Sequence, residues 1–160
     1  MKVRQLEQGD LASLSEFIID AYNDYPLATW FKEEPDSGQI ERIFYNKMRG
    51  IGSRELIDIV TEDRGTIAGE CEIAKIDFDR GVIGILVRHG YRKRSIGSGM
   101  LRLAMESAVD VGISKFIAEV ADENKEAIKF FMNHSFIPIG YRDIERQEAT
   151  HKIMILQHSI

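Results

Sequence analysis

The chain has 160 residues, 44% of them hydrophobic, with a formal net charge of −5 and an isoelectric point near 5.4. That length suits one domain with a real core, and the acidic balance argues against generic binding to nucleic acid or to an anionic membrane. The single cysteine, Cys71, excludes an internal disulfide; with no signal-type apolar segment and no apolar run near ~20 residues, the expected compartment is the cytoplasm.

Val3 to Leu6 reads as a short first strand. Gly9-Asp10 offers an N-cap, and Leu11, Leu14, Phe17, Ile18 and Ala21 recur at helical spacing, which predicts a helix over 11–22. Tyr25 to Phe31 (YPLATWF) is an aromatic-rich connection interrupted by Pro26 and followed by Pro35. A second helix over 37–48 is carried by Ile40, Ile43, Phe44 and Lys47 at spacings of three and four, and Gly50 with Gly52 ends it. The stretches 56–61 and 66–76 run apolar or alternate around Glu62-Asp63-Arg64-Gly65, which predicts a hairpin, and a turn over 77–81 leads to a strand over 82–88. The pattern then changes. Leu101, Ala104, Met105 and Ala108 share a face of a helix over 98–111, and Lys115 to Val120 resumes as a strand. Strand, helix and strand in that order imply a parallel pair with a right-handed crossover. A helix over 123–134 and strands over 136–143 and 152–157 complete an α/β (α+β mixed) domain, a mixed sheet with helices on its faces, in which Pro138 belongs early in its strand or at an edge.

The chemistry concentrates at Tyr91 to Leu101 (YRKRSIGSGML), where a buried-type strand passes through a basic, glycine-containing turn directly into a helix. Backbone N–H groups at a helix start lack intrahelical acceptors, and the helix dipole is positive there. With Arg92, Lys93 and Arg94 beside it, the turn is built for an anion such as a phosphorylated ligand. Two other phosphate motifs do not fit: Arg102 stands where a dinucleotide fingerprint needs Gly or Ala, and the Lys-Ser/Thr pair of a P-loop is missing.

These residues resemble the acyl-CoA pyrophosphate loop of the GCN5-related N-acetyltransferase (GNAT) superfamily, Arg/Gln-x-x-Gly-x-Gly/Ala. A second segment agrees, with Asn124, Ala127, Phe131 and Phe136 at the positions of Asn-x-x-Ala-x-x-x-Tyr-x-x-x-Gly-Phe. The resemblance covers about Leu56 to the C-terminus and, more weakly, the first helix. It implies a mostly antiparallel central sheet whose parallel strands splay to admit the pantetheine arm, with acetyl-CoA as cosubstrate. Amides from Arg92 through Ser95, Ile96 and Gly97 would cradle the pyrophosphate, helped by a hydroxyl of Ser95 or Ser98, with Gly99 completing the loop. A backbone N–H near Leu86 or Val87 would stabilise the oxyanion, Asn124 would hold the pantetheine arm, and Ala127 would let the helix approach it. The implied reaction is transfer of an acetyl group to a primary amine of a small molecule or protein, by direct attack in a ternary complex, in a monomer or a homodimer paired through its C-terminal strands.

Two positions depart from the pattern. Ser95 replaces a loop glycine, at a cost on the order of 1 kcal/mol if φ there is positive. Phe131 replaces a tyrosine that assists the leaving sulfur; a thiolate whose conjugate acid has a pKa of about 8–9 leaves without that help, and Tyr141, Tyr91 or Ser135 could supply a hydroxyl. An amine with a pKa near ~10 must lose a proton before attack. Candidate carboxylates are Glu70 and Glu72, on one face of the third strand, and Glu119, beside the expected cleft. Glu72, Glu119 and Tyr141 are the catalytic candidates. Cys71 points to the opposite face from Glu70 and Glu72 and reads as a packed hydrophobe. The histidines, His89, His134, His151 and His158, have no metal-ligand spacing, so no metal is expected. Tyr22, Tyr25, Trp30, Phe31, Phe44 and Tyr45 gather in the region that, by resemblance, roofs the acceptor site, and suit an amine with an apolar or cationic group. Two alternatives stay open: an acyl-CoA sensor without catalysis, motivated by Ser95 and Phe131, and a nucleic-acid patch at Arg88 to Arg94, which the net acidity disfavours.

Overall fold

The computed structural model of the protein describes residues 1–92, 95–146 and 148–160. Seven strands form one mixed sheet in the order β1-β2-β3-β4-β5-β7-β6: β1 (Lys2–Gln5), β2 (Leu56–Asp63), β3 (Thr66–Lys75), β4 (Arg80–Val87), β5 (Lys115–Ala121), β6 (Ile137–Arg146) and β7 (Ala149–Ser159). All neighbours pair antiparallel except β4 and β5. The crossover between those two is α3 (Ile96–Asp110), as the strand-helix-strand pattern requires.

Helices cover both faces. On one, α1 (Leu11–Asp24) and α2 (Ser37–Gly52) bury Leu14, Phe17, Ile18, Ile40 and Phe44 against Val60 and Ile67 of β2 and β3. On the other, α3 and α4 (Lys125–Asn133) bury Met100, Leu101, Ala104 and Phe131 against Cys71, Phe116 and Leu156. Cys71 is fully buried there, and burial pushes its thiol well above its ordinary pKa, in keeping with a packing role.

The termini of these elements have local causes. Asp36 caps α2 by accepting from the Gln39 N–H (2.8 Å) while the Gln39 side chain accepts from the Asp36 N–H (2.9 Å), a capping box. Asp10 precedes α1 but does not cap it with its side chain: its carboxylate accepts from both terminal nitrogens of Arg4 (2.8 and 2.9 Å) and from the Glu7 N–H (2.7 Å). Helix α2 runs through Gly50 to Gly52, one turn past the expected end at Met48, and the bare Gly50 leaves room for Leu56, whose Cβ would lie 3.0 Å from a side chain there. Strands β6 and β7 are longer than their apolar patterns suggest, since the polar run from Ala149 to His151 pairs with 144–146 in a hairpin at the sheet edge. Pro138 lies on that edge strand, opposite Leu156, and the register shifts before Gly140.

Candidate active site

The parallel pairing of β4 with β5 covers only Arg80↔Lys115 to Ile83↔Ala118. Beyond it, Gly84 to Val87 pair with β3 alone and Glu119 to Ala121 with β7 alone, so the two strands diverge and leave an opening in mid-sheet. The Arg88 N–H donates to the Ala68 carbonyl (2.8 Å). By strand alternation the Leu86 N–H therefore also faces β3, while the N–H groups of Ile85 and Val87 face the opening. Of the two expected oxyanion donors, only Val87 has this orientation.

At the mouth of the opening α3 begins with Ser95 in the left-handed region (φ 60°, ψ 16°), the condition under which serine is strained relative to glycine. Its hydroxyl makes no capping bond. Gly99 is the first residue of α3 to donate to a backbone carbonyl, that of the N-cap Ser95 (3.2 Å), so the amides of Ile96, Gly97 and Ser98 have no acceptor among the described residues. A side chain at Gly97 would press on Phe130, its Cβ 3.2 Å from the ring, whereas at Gly99 nothing lies within 4 Å. Arg92 donates to the Val87 carbonyl (3.3 Å) and pairs with Asp24 at the end of α1 (2.5 Å), while Arg88 pairs with Asp20 one turn earlier (2.6 Å). Lys93 and Arg94 lie outside the described residues.

A buried charge cluster stands on the α1/α2 face, one strand from the opening. Lys47 of α2 reaches Asp58 of β2 (2.9 Å) and both Glu70 (3.3 Å) and Glu72 (2.5 Å) of β3. Burial alone would push the Lys47 ammonium down, but Glu70, Glu72 and Asp58 outweigh it and hold it well above its ordinary value. The carboxylates respond oppositely. Asp58 is raised well above the usual range by burial and then by the charge of Glu70, and Glu70 is raised by burial and Glu72 despite the pull of Lys47. Oδ1 of Asp58 and Oε2 of Glu70 have no donor among the described residues. The three carboxylates lie close enough to share a cation, each offering an oxygen within 4.8 Å of the others; Lys47 Nζ touches all three and supplies that charge from within the chain. Beside them, Gly84 is the first β4 residue past the last β4–β5 pair, and a Cβ there would sit 3.6 Å from Glu72 Oε1, so the missing side chain leaves the way from Glu72 to the opening clear.

Across the opening, Glu119 of β5 accepts two bonds from Arg142 of β6 (Nε 3.2 Å, Nη2 2.8 Å). The guanidinium groups of Arg142 and Arg146 lie 5.9 and 5.8 Å from the Trp30 ring centroid, and Arg146 also donates to the Trp30 carbonyl. A cavity of about 840 Å³ joins these groups over the sheet. Glu70, Glu72 and Lys47 line one side of it, Glu119, Arg142 and Arg146 the other, with Gly84 to Leu86 between and Phe17, Trp30 and Phe31 above.

The structure thus brings Glu72, Glu119 and Leu86 of the expected site to one cavity. It does not bring Tyr141 there: Tyr141 is opposite Met154, on the α3/α4 face, with the Lys152 ammonium 4.7 Å from its ring centroid. Tyr91 donates to Asp63 (2.7 Å), and Ser135 is exposed past the end of α4. Asn124 caps α4, accepting from the Ala127 N–H (3.3 Å). Phe131 is buried edge-on to Phe130 and Phe136, with ring centroids 5.3 and 5.1 Å away. Of the six roof aromatics, Trp30 and Phe31 line the cavity; Phe44 is core and Tyr45 faces solvent. Sequence reasoning missed Asp58, Arg142 and Arg146, and treated Lys47 only as a member of a helical stripe. The signal for Lys47 and Asp58 was available: each is a charge inside an apolar pattern, Lys47 in line with Ile40 and Phe44 and Asp58 within Leu-Ile-Asp-Ile-Val.

Residues 15–136 match the Acetyltransferase (GNAT) family. No curated protein matches the sequence significantly. Among solved structures, ribosomal-protein-alanine N-acetyltransferase from Brucella melitensis superposes with a TM-score of 0.85 at 17% identity, covering 100% of both chains. The protein yncA of Salmonella typhimurium, with its cofactor acetyl-CoA, gives 0.81 at 16% identity over 99% of this chain and 92% of that one. Spermidine N-acetyltransferase from Vibrio cholerae, in complex with CoA and spermine, gives 0.79 at 18% over 99% and 94%. At such identities these likenesses establish a shared fold. The family match spans three quarters of the chain, and on that ground the protein belongs to the acetyltransferase (GNAT) family of acyltransferases.

Proposed function

We propose that this protein transfers an acetyl group from acetyl-CoA to a primary amine by direct attack. The observation that carries the reading is the opening between β4 and β5 beside the uncapped start of α3. The amides of Ile96, Gly97 and Ser98, without an acceptor among the described residues, suit a diphosphate, and a pantetheine arm laid along the opening would carry the thioester past the N–H groups of Val87 and Ile85. The amine nitrogen forms a bond to the thioester carbon while the carbonyl oxygen gains charge against the Val87 N–H. The C–S bond then breaks, its electron pair leaves with the sulfur, and the nitrogen gives its second proton to water or to that thiolate, leaving a neutral amide.

The amine must first lose a proton. Glu70 and Glu72 are the acceptors that best fit, directly or through water, and the elevated affinity of Glu70 for a proton makes it a better base near neutral pH than an ordinary carboxylate. Glu119 is held by Arg142 and serves the wall of the cavity. No acid is needed for the departing thiolate, so the apolar surroundings of Phe131 do not obstruct turnover.

The test is a thermal shift paired with a transfer assay. Acetyl-CoA at ~100 times its dissociation constant stabilises the fold by about 2.7 kcal/mol, a rise in Tm of roughly 5–11 °C for a domain of this size, and a panel of primary amines releases free CoA thiol. No shift and no thiol release would overturn the proposal. A shift with no transfer to any amine would make the protein an acyl-CoA sensor instead.

A further inference from the structure

The cavity has two electrical ends. On the β3 side, one ammonium, Lys47, faces three carboxylates, and Glu70 Oε2 is buried there without a donor among the described residues. Glu55 and Lys75, which also border that side, offset each other. On the β6 side the balance is reversed. Two guanidinium groups flank Trp30 and only Glu119 answers them; Arg146 has no carboxylate partner among the described residues. Because Arg142 reaches across β7 to Glu119 on β5, the basic end begins at the far lip of the opening, whereas Glu72 stands one strand back from the near lip. Glu72 Oε1 leans to 3.6 Å from the Cβ position of Gly84 on β4, and Arg142 reaches Glu119 on β5, so a molecule lying in the opening has a carboxylate at one lip and a guanidinium at the other.

We infer that the acceptor is an amino acid, a small amine carrying a carboxylate a few bonds from its nitrogen, with its amine toward Glu70 and Glu72 and its carboxylate on Arg146 and the free edge of Arg142. The inference rests on the acetyltransferase reading above and specifies its substrate. A carboxylate supplies Arg146 with the partner it lacks in the fork geometry guanidinium prefers, and an ammonium finds at the other end the Glu72 carboxylate, the most exposed of the three. A polyamine satisfies only one end and sets a second ammonium against two arginines. The Trp30 face, which the sequence suggested for a cationic group, is already occupied by guanidinium.

The experiment measures CoA release with acetyl-CoA and each neutral proteinogenic L-amino acid beside its decarboxylated amine, with spermidine included. At least one amino acid should exceed its decarboxylated partner by about 10- to 100-fold in kcat/KM, the range for a lost hydrogen bond to a charged group. Arg146→Gln should erase that ratio mainly by raising KM, and Arg146→Lys should restore part of it. The inference is overturned if the decarboxylated amines or spermidine react as well as the amino acids, or if the ratio survives in Arg146→Gln. If acetyl-CoA raises Tm but no amino acid is acetylated, the acceptor assignment falls while the cofactor site stands. If acetyl-CoA gives no shift, both fall together.

Discussion

Replacing Lys47 with Met keeps its length and removes its charge, leaving Asp58, Glu70 and Glu72 around an uncompensated site. Breaking a buried ion pair by deleting one partner costs about 3–5 kcal/mol, and here one ammonium serves three carboxylates. For a domain of 160 residues that loss lowers Tm by roughly 6–20 °C. The pH dependence is the sharper test. Asp58 and Glu70 bind protons more tightly folded than unfolded, so their burden on stability is absent below the ordinary carboxylate range and grows as pH rises through their raised values. Without Lys47 those values rise further and the slope steepens: Lys47→Met should lose most at pH 8 and least near pH 5, and Asp58→Asn added to it should recover part of the loss at pH 8. The assay is urea unfolding from pH 5 to 8, with the two-state condition checked by two probes. A variant within about 1 kcal/mol of the parent at pH 8, with a parallel pH profile, would falsify the picture of an ammonium enclosed by carboxylates.

Three further outcomes follow from the same geometry. Ser95→Gly relieves a left-handed φ of 60° and should stabilise the fold by about 0.5–1 kcal/mol, net of the entropy glycine adds to the unfolded chain, without weakening acetyl-CoA; thermal unfolding and titration check the two halves. Ser98→Glu places a negative charge in the first turn of α3, where it should add about 0.3–1 kcal/mol to stability yet weaken acetyl-CoA at least about tenfold, opposite signs that a general folding defect does not produce. Glu70→Gln should remove the ascending acid limb of the kcat/KM profile, whose midpoint in the parent lies above the ordinary glutamate range because of burial and the neighbouring Glu72; an unchanged limb would assign the base elsewhere.

The helices and most strands were legible because each has one apolar face: Leu14, Phe17 and Ile18 at helical spacing, Ile83 and Ile85 at strand spacing. The turn into α3 was legible because a local strand-turn-helix motif needs no knowledge of distant contacts. The β6 wall of the cavity was not. Arg142 and Arg146 sit in a polar stretch with weak periodicity, and what brings them to Glu119 is the order β5-β7-β6, in which the last strand inserts between two earlier ones. No spacing rule predicts such an insertion. Tyr141 fails for a related reason, since its facing depends on the register with β7, fixed beyond the shift at Pro138 and Gly140. Lys47 shows the limit of pattern reading itself: periodicity placed it on the inner stripe of α2, and only the partners there reveal an ion rather than an aliphatic stem.

The divergence of β4 from β5 leaves the seven-stranded sheet as two half-sheets fastened by the rungs from Arg80↔Lys115 to Ile83↔Ala118 and by the helix that crosses between them. Its central seam is therefore only four rungs long, with the N–H groups of Ile85 and Val87 turned to the gap beyond it. A ligand bonded along those N–H groups would act as a missing strand does, closing the seam as it binds, so that the cohesion of the fold and the loading of the notch would be one equilibrium seen from two sides.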